Sequence, residues 1–157
     1  MSRHPAVKLR LFAFNGGIKE LLDFQKYKEY FNKRDMFSVN NGMSLVDMGE
    51  GHARVELTIG ETSKNYMGSM HGGLLYTMAD VAAGTAIVFC GKQAVTLTAH
   101  TEYIKPAFSG KVIAEAKVIA FGRTISRCEV EVRAQDGTLY SKSIITMFIT
   151  DKDIPVI

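Results

Sequence analysis

The sequence predicts a single α+β domain in which a curled antiparallel sheet wraps around one long central helix. Three observations support this prediction. Residues 72–91 form a largely apolar run that contains one carboxylate, Asp80, as expected of a helix surrounded by protein. The segments after this run alternate apolar and polar residues as half-buried strands do. Asp136-Gly137 separates the last two of these segments, and this dipeptide is a strong hairpin signal.

Two elements are predicted ahead of the main domain. Residues 1–16 contain three basic side chains and no acid, and we interpret them as a basic N-terminal extension. Apolar residues recur at helical intervals within residues 17–35, which predicts an amphipathic leading helix. Residues 36–157 form the main domain, which begins with a strand pair at 43–48 and 52–59.

Four further strands are predicted after the central helix, at 94–104, 111–121, 124–134 and 138–150. Strict alternation along the first of them separates its side chains into two faces. It places Val95, Leu97, Ala99 and Tyr103 on one face and Thr96, Thr98, His100 and Glu102 on the other.

Composition narrows the class of protein. The chain has 157 residues, of which 46% are hydrophobic, so it can bury one compact core. The net charge of +3 arises from the extension, because the rest of the chain has equal numbers of basic and acidic residues. A nucleic-acid partner is therefore not expected.

The cysteines and histidines indicate neither a metal site nor a cofactor. Cys90 and Cys128 lack the spacing of metal ligands and are interpreted as buried thiols in a reducing compartment, which predicts a cytoplasmic protein. The four histidines are scattered along the chain.

The apolar run is about long enough to cross a bilayer, but a membrane protein is not predicted. An aspartate near the centre of such a helix costs about 2.5 to 3.5 kcal/mol on insertion scales. Much of the run is Ala, Gly and Thr, which offset little of that cost. The extension is also too weakly apolar for a signal peptide.

Asp80 is the residue of the central helix that most needs explaining. A buried carboxylate must be met by donors or lose its charge, so a chain that places one in mid-helix usually uses it. One interpretation is a structural aspartate satisfied by backbone or threonine donors. The other is a catalytic base or nucleophile.

Gly72 and Gly73 open the same helix, where backbone N–H groups lack helical acceptors and attract negative charge. The Gly72 N–H is therefore a candidate donor to the oxygen that becomes negative during acyl transfer. Asp80 lies about 12 Å further along the helix axis, too far for both groups to act on one small reacting centre. Two antiparallel copies of the helix would bring Gly72 of one subunit to Asp80 of the other, so this chemistry predicts a homodimer.

A known family pattern consists of Asn, Gly, His-Gly-Gly and a helical acid nine residues after the histidine. Six residues match it: Asn65, Gly68, His71, Gly72, Gly73 and Asp80. The segment 103–110 (YIKPAFSG) and the later Gly122-Arg123 are similar to that family as well. On these residues the chain resembles the hotdog-fold acyl-CoA thioesterases, in particular the PaaI-type (phenylacetate-pathway) branch, over residues 36–150.

The resemblance implies a hotdog domain that hydrolyses acyl-CoA thioesters to free acid and coenzyme A, with coenzyme A present as part of the substrate. Asp80 would activate water or attack directly, and Gly72 would bind the oxyanion. Thr96 matches the family's hydroxyl position and would orient the water or Asp80, although an ordinary strand threonine is equally open. Asn65 would polarise the carbonyl, or else cap a loop. His71 is expected to fix the loop by hydrogen bonding.

The substrate-binding predictions are less specific. Lys64, Lys105 and Arg123 are candidates to meet the phosphates of coenzyme A. The predicted substrate-binding set is Gly73, Met70, Tyr76, Lys105 and Arg123, of which Met70 and Tyr76 suit an aromatic ring or an alkyl chain equally. Family members of this branch are commonly tetramers, so a homotetramer is expected.

Two other functions stay open on the sequence. A hotdog dehydratase or hydratase would pair a carboxylate with a histidine on a β-hydroxyacyl or enoyl thioester. A non-catalytic acyl-CoA binding module normally needs an output domain, for which this chain has no room beyond the predicted domain.

Overall fold

A computed structural model describes residues 22–155 and confirms the predicted α+β architecture. The extension 1–16 and the first residues of the predicted leading helix, 17–21, lie outside the described residues. The helices are α1 (Phe24–Arg34), α2 (Met36–Asn40) and α3 (Gly72–Ile87), with 3-10 turns at Glu61–Ser63 and Val88–Cys90. The strands are β1 (Ser44–Gly49), β2 (His52–Thr58), β3 (Lys92–Tyr103), β4 (Lys111–Phe121), β5 (Ile125–Ala134) and β6 (Leu139–Asp153).

The six strands form one antiparallel sheet in the order β1-β2-β4-β5-β6-β3. Helix α3 packs on its concave face, and the core lies between them. The side of α3 that meets the sheet is rich in small residues, which let the helix approach closely; Ala79, Ala82, Ala83 and Ala86 are fully buried there.

Helix α3 with its following turn, Gly72–Cys90, is long and apolar enough by composition to cross a membrane. More than half of its most apolar window is buried within the domain. The core helix of a sheet-wrapped domain is expected to show both properties.

Among the described residues the leading helix spans Phe24–Arg34 and is followed by a second short helix, α2, that the sequence pattern did not reveal. Asp23 caps α1 by accepting from the Lys26 N–H at 3.0 Å, and Asp35 separates the two helices. Asp35 also accepts from Ser38 Oγ at 2.9 Å, which ties α2 to its own start. A five-residue helix is too short to show a 3.6-residue period.

Helix α1 covers the outer edge of strand β1. The side chain of Asn32 donates to Leu45 O and accepts from Leu45 N, both at 2.8 Å, and Lys28 Nζ donates to Val46 O at 3.4 Å. One side chain thus satisfies the backbone of an edge residue in the way a neighbouring strand would.

Replacing Asn32 by alanine is expected to lower the free energy of unfolding by about 1 to 3 kcal/mol, because two part-buried backbone groups lose their partners. Urea unfolding followed by circular dichroism measures this loss. Asn41→Ala is the matched control, since the Asn41 side chain makes a solvent-exposed hydrogen bond to Phe37 O of the helix that it follows. Equal midpoints for the two variants would contradict the assigned role of Asn32.

Strand β3 does not alternate as predicted. Thr96 pairs with Met147 whereas Thr98 pairs with Thr146, so the register shifts by one residue at Leu97, which forms a bulge. The prediction that Thr96 shares a face with Thr98 is therefore wrong. Thr96 points to the concave side, where it meets Asp80 of the central helix.

Candidate active site

The site begins at the start of α3, which His71 caps. His71 Nδ1 accepts the Gly73 N–H at 2.9 Å, and the His71 N–H donates to Ser63 O at 2.8 Å. A ring nitrogen that accepts a hydrogen bond carries no proton itself. This geometry agrees with the expectation that His71 fixes the loop, and it places Gly73 in the helix cap.

The peptide that joins Gly72 to Gly73 is held at both ends. The N–H of this peptide, that of Gly73, donates to His71 Nδ1. The carbonyl oxygen of the peptide, Gly72 O, accepts from Tyr103 Oη at 3.1 Å. The preceding N–H, that of Gly72, donates to none of the residues 22–155. It is a backbone donor at the positive end of a 16-residue helix, as an oxyanion site requires.

Asp80 is half-buried and has a specific partner. Thr96 Oγ1 donates to Asp80 Oδ1 at 2.6 Å and also lies 3.4 Å from Met147 Sδ. The bulge at Leu97 turns Thr96 toward the helix and so makes this contact possible. A hydroxyl donor fixes the orientation of the carboxylate, and no hydrogen bond from residues 22–155 reaches Asp80 Oδ2.

Within one chain the acid and the donor do not meet. Asp80 is eight residues after Gly72 in the same helix, about 12 Å along the axis. The described residues therefore contain two half-sites, one with Asp80 and Thr96 and the other with Gly72, His71 and Tyr103.

Asn65 adopts the loop-capping alternative. Its Oδ1 accepts from the N–H groups of Met67 at 2.9 Å and Ser69 at 3.3 Å, and its Nδ2 donates to Ser69 Oγ at 3.1 Å. These bonds close the loop that leads into His71. A polarising role would have to use the second amide proton of Nδ2.

The predicted substrate-binding residues are dispersed. Met70 is only 3% exposed, because its side chain packs in the core; its N–H donates to Ala107 O at 2.7 Å. Tyr76 is half-buried on α3. Lys105 follows β3 and Arg123 lies in the β4–β5 turn, both exposed, at opposite ends of the sheet.

Lys64, the other candidate for a phosphate contact, pairs with Glu61 at 2.7 Å. Its amino group therefore already has an anionic partner.

Tyr103 is the site residue whose function the sequence did not reveal. The sequence places it only on one face of a predicted strand and in the segment 103–110 that is similar to the family. Tyr103 has a large side chain with a hydroxyl group at its end, and it stands at the end of a strand that lies beside the start of α3. Its contact with the helix can be recognised only once the packing of strand against helix is known.

Cys128 is not a candidate nucleophile. It is fully buried, its Sγ lies 3.6 Å from Ala83 O, and burial raises the pKa of this thiol to about 12. The thiolate is therefore not populated near neutral pH. Among residues 22–155, no group of three or more His, Cys, Asp or Glu is placed to hold a metal ion.

Comparison with known proteins shows which family this chain resembles. The family model "Thioesterase superfamily" matches residues 67–141, which include both half-sites. The acyl-coenzyme A thioesterase PaaI of Escherichia coli is 30% identical over 92 residues, which are 58% of this chain and 66% of that protein. The chain is thus similar to the thioesterase superfamily over residues 67–141 and has the hotdog fold, and the predicted resemblance is confirmed.

Solved structures with the same fold include three from Streptococcus pneumoniae: one with coenzyme A and two of mutant proteins. A hypothetical thioesterase solved with coenzyme A is 25% identical, with a TM-score of 0.72, and the match covers 79% of this chain and 99% of that chain. Two mutant structures of a hypothetical thioesterase are each 28% identical, with TM-scores of 0.66 and 0.65. Each match covers 69% of this chain; the first covers 90% of the matched chain and the second 89%. One replaces an aspartate by alanine and the other a threonine sixteen positions later.

Proposed function

We propose that this protein hydrolyses acyl-CoA thioesters to the free acid and coenzyme A. The observation that carries the proposal is the 2.6 Å contact between Thr96 and Asp80. These residues are sixteen positions apart, the same separation as the aspartate and threonine replaced in the pneumococcal thioesterase. The coenzyme A in the related structure supports the substrate class.

In the proposed reaction the thioester carbonyl oxygen lies against the Gly72 N–H. Asp80 of the partner subunit removes a proton from water as that water attacks the carbonyl carbon. The C–S bond then breaks, and the thiolate of coenzyme A leaves and takes up a proton. Thr96 orients Asp80, while His71 and Asn65 hold the loop before the helix. The proposed reaction uses water and the chain's own groups, without a cofactor.

The active unit is then a homodimer, since about 12 Å separates Gly72 from Asp80 in one chain. We also propose that two dimers associate into a homotetramer in the cytoplasm. The outer face of the sheet offers apolar side chains for that contact: Ile119, Ile125 and Phe148 are each at least 39% exposed. Native mass spectrometry measures the assembly.

The first experiment is release of thiol from a panel of aryl- and alkyl-acyl-CoA thioesters. Wild-type turnover would support the proposal and identify the acyl class. Absence of thiol release would contradict it. If no thiol is released but the absorbance of an enoyl thioester changes, the dehydratase or hydratase function would be favoured.

Thr96→Val is expected to lower kcat about tenfold, because Asp80 loses a charge-assisted hydrogen bond that fixes its orientation. Steady-state thiol release measures the change. Thr98→Val is the matched control: Thr98 lies on the same strand, beyond the bulge, and has no contact with Asp80. Equal losses in the two variants would indicate a general effect on β3 and would contradict the specific role of Thr96.

A further inference from the structure

Tyr103 holds the start of α3 from a different element of the fold. Its Oη donates to Gly72 O at 3.1 Å, and its ring lies against Gly72, where an added Cβ would be in van der Waals contact with the ring carbon Cε1 at 3.4 Å. The residue is nevertheless 57% exposed. Tyr103 therefore fixes the peptide next to the proposed oxyanion donor while much of its surface is open to another group.

Strand β3 carries one contact to each half-site. Thr96, near its beginning, binds Asp80, and Tyr103, at its end, binds Gly72. The strand and helix α3 thus run antiparallel. Because of the bulge at Leu97, Thr96 and Tyr103 both lie on the concave face although they are seven residues apart.

Strand β3 is also the open edge of the sheet in the described chain. The β1 edge is occupied by the side chain of Asn32, whereas Val95 and Leu97 on β3 are 52% and 53% exposed. An open, partly apolar edge strand is a template for pairing with another strand. A second copy of β3 is the occupant that would also complete the site.

We propose that Tyr103 is a positioning residue that joins the two half-sites across a two-fold axis, orienting Gly72 of its own subunit and facing Thr96 of the partner subunit. This inference rests on the proposed function and extends it. Residues directly opposite each other in an antiparallel pair lie on the same face. Placing Thr96 opposite the partner's Tyr103 therefore brings Asp80 to the partner's Gly72.

This placement fixes the register of the β3 pair. Once the extra residue of the bulge is allowed for, His100 lies opposite the partner's His100 on the two-fold axis. Thr98 lies opposite the partner's Glu102. His100 points away from α3, on the convex side, and its side chain is 79% exposed.

The same register brings Arg123 and Lys105, which lie at opposite ends of the sheet within one chain, to the same end of the dimer's sheet. Ile125 pairs with Phe148, which pairs with Val95, so Arg123 lies at the Thr96 end of β3. Lys105 follows Tyr103 at the other end. In the dimer Arg123 of one subunit and Lys105 of the partner subunit share one end of the sheet, beside one active site, as two contacts to the phosphates of coenzyme A would require.

Disulfide cross-linking tests the register without any activity. His100→Cys is expected to give a covalent dimer under mild oxidation on a non-reducing gel, because opposite residues of paired strands lie within disulfide reach. Thr98→Cys and Glu102→Cys, made singly, are expected to stay monomeric on the gel, since each cysteine would be several residues from its symmetry mate. The wild type, with Cys90 and Cys128, gives the background.

Tyr103→Phe tests the positioning role. Loss of one hydroxyl donor is expected to lower kcat about fivefold to tenfold while KM, the dimer mass and the thermal midpoint stay near the wild-type values. A merely structural tyrosine would move the thermal midpoint instead. Tyr30→Phe, the same change on the leading helix, is expected to leave kcat unchanged.

Two outcomes would overturn the inference: an unchanged kcat in Tyr103→Phe, or a cross-linking pattern that does not favour position 100 over positions 98 and 102. Failure of the proposed function would be seen separately, as absence of thiol release by the wild type. The cross-linking pattern would still report the register in that case.

Discussion

Replacing Asp80 by asparagine is expected to lower kcat for acyl-CoA hydrolysis by about 10² to 10⁴-fold, the usual contribution of a positioned general base. Asparagine keeps the size of the side chain and can still accept the hydrogen bond from Thr96, but it cannot take a proton from water. Steady-state thiol release measures kcat, and circular dichroism verifies that the fold is retained.

Asp47→Asn provides the control for a change of charge alone. Asp47 lies on β1, exposed, 3.6 Å from His52 and away from α3. Its variant is expected to turn over like the wild type. Wild-type turnover by Asp80→Asn as well would remove Asp80 from the mechanism and return it to the interpretation of a structural aspartate.

Gly72 allows its backbone N–H to be removed by mutation. Proline is well tolerated at the first position of a helix, and His71 has φ −63° and ψ 130°, a conformation that the residue before a proline favours. Gly72→Pro therefore deletes the proposed oxyanion donor while the helix start is kept. The expected loss in kcat is about 10² to 10³-fold, as measured for other oxyanion donors.

Gly72→Ala is the matched partner of this variant. It adds a Cβ at ordinary van der Waals distance from the Tyr103 ring but retains the N–H. Its kcat is expected to lie much closer to the wild-type value than that of Gly72→Pro, as measured by thiol release in parallel. If the alanine and proline variants lose the same activity, crowding against Tyr103 explains the loss and the N–H does not act as the oxyanion donor.

Much of the fold could be predicted because its elements have a strong local period. The bounds of β4 agree with the prediction, and the turn at Asp136-Gly137 forms as expected, with Thr138 N–H donating to Asp136 Oδ1 at 2.9 Å. The apolar run 72–91 predicted a helix and forms α3, which is followed by a 3-10 turn that ends at Gly91, with φ +73°.

The details of the site depended on contacts between distant segments. The bulge at Leu97 arises because Thr96 pairs with Met147 and Thr98 with Thr146 on β6, and a period of two within one strand cannot reveal it. Met70 is buried where its loop meets another loop, in which Ala107 O accepts the Met70 N–H. Asp80 and Gly72 were predicted from local chemistry and spacing, and Thr96 from the family resemblance, whereas the contact of Tyr103 with Gly72 spans 31 positions.

The side chain of Asn32 has a consequence for how far the molecule can assemble through its sheet. A sheet open at both edges can add copies indefinitely, and such growth produces fibres. In the described chain Asn32 binds the Leu45 backbone at one edge and only β3 is open at the other. Pairing of two β3 strands therefore uses up the growing edge of both copies, so edge-to-edge association stops at two subunits.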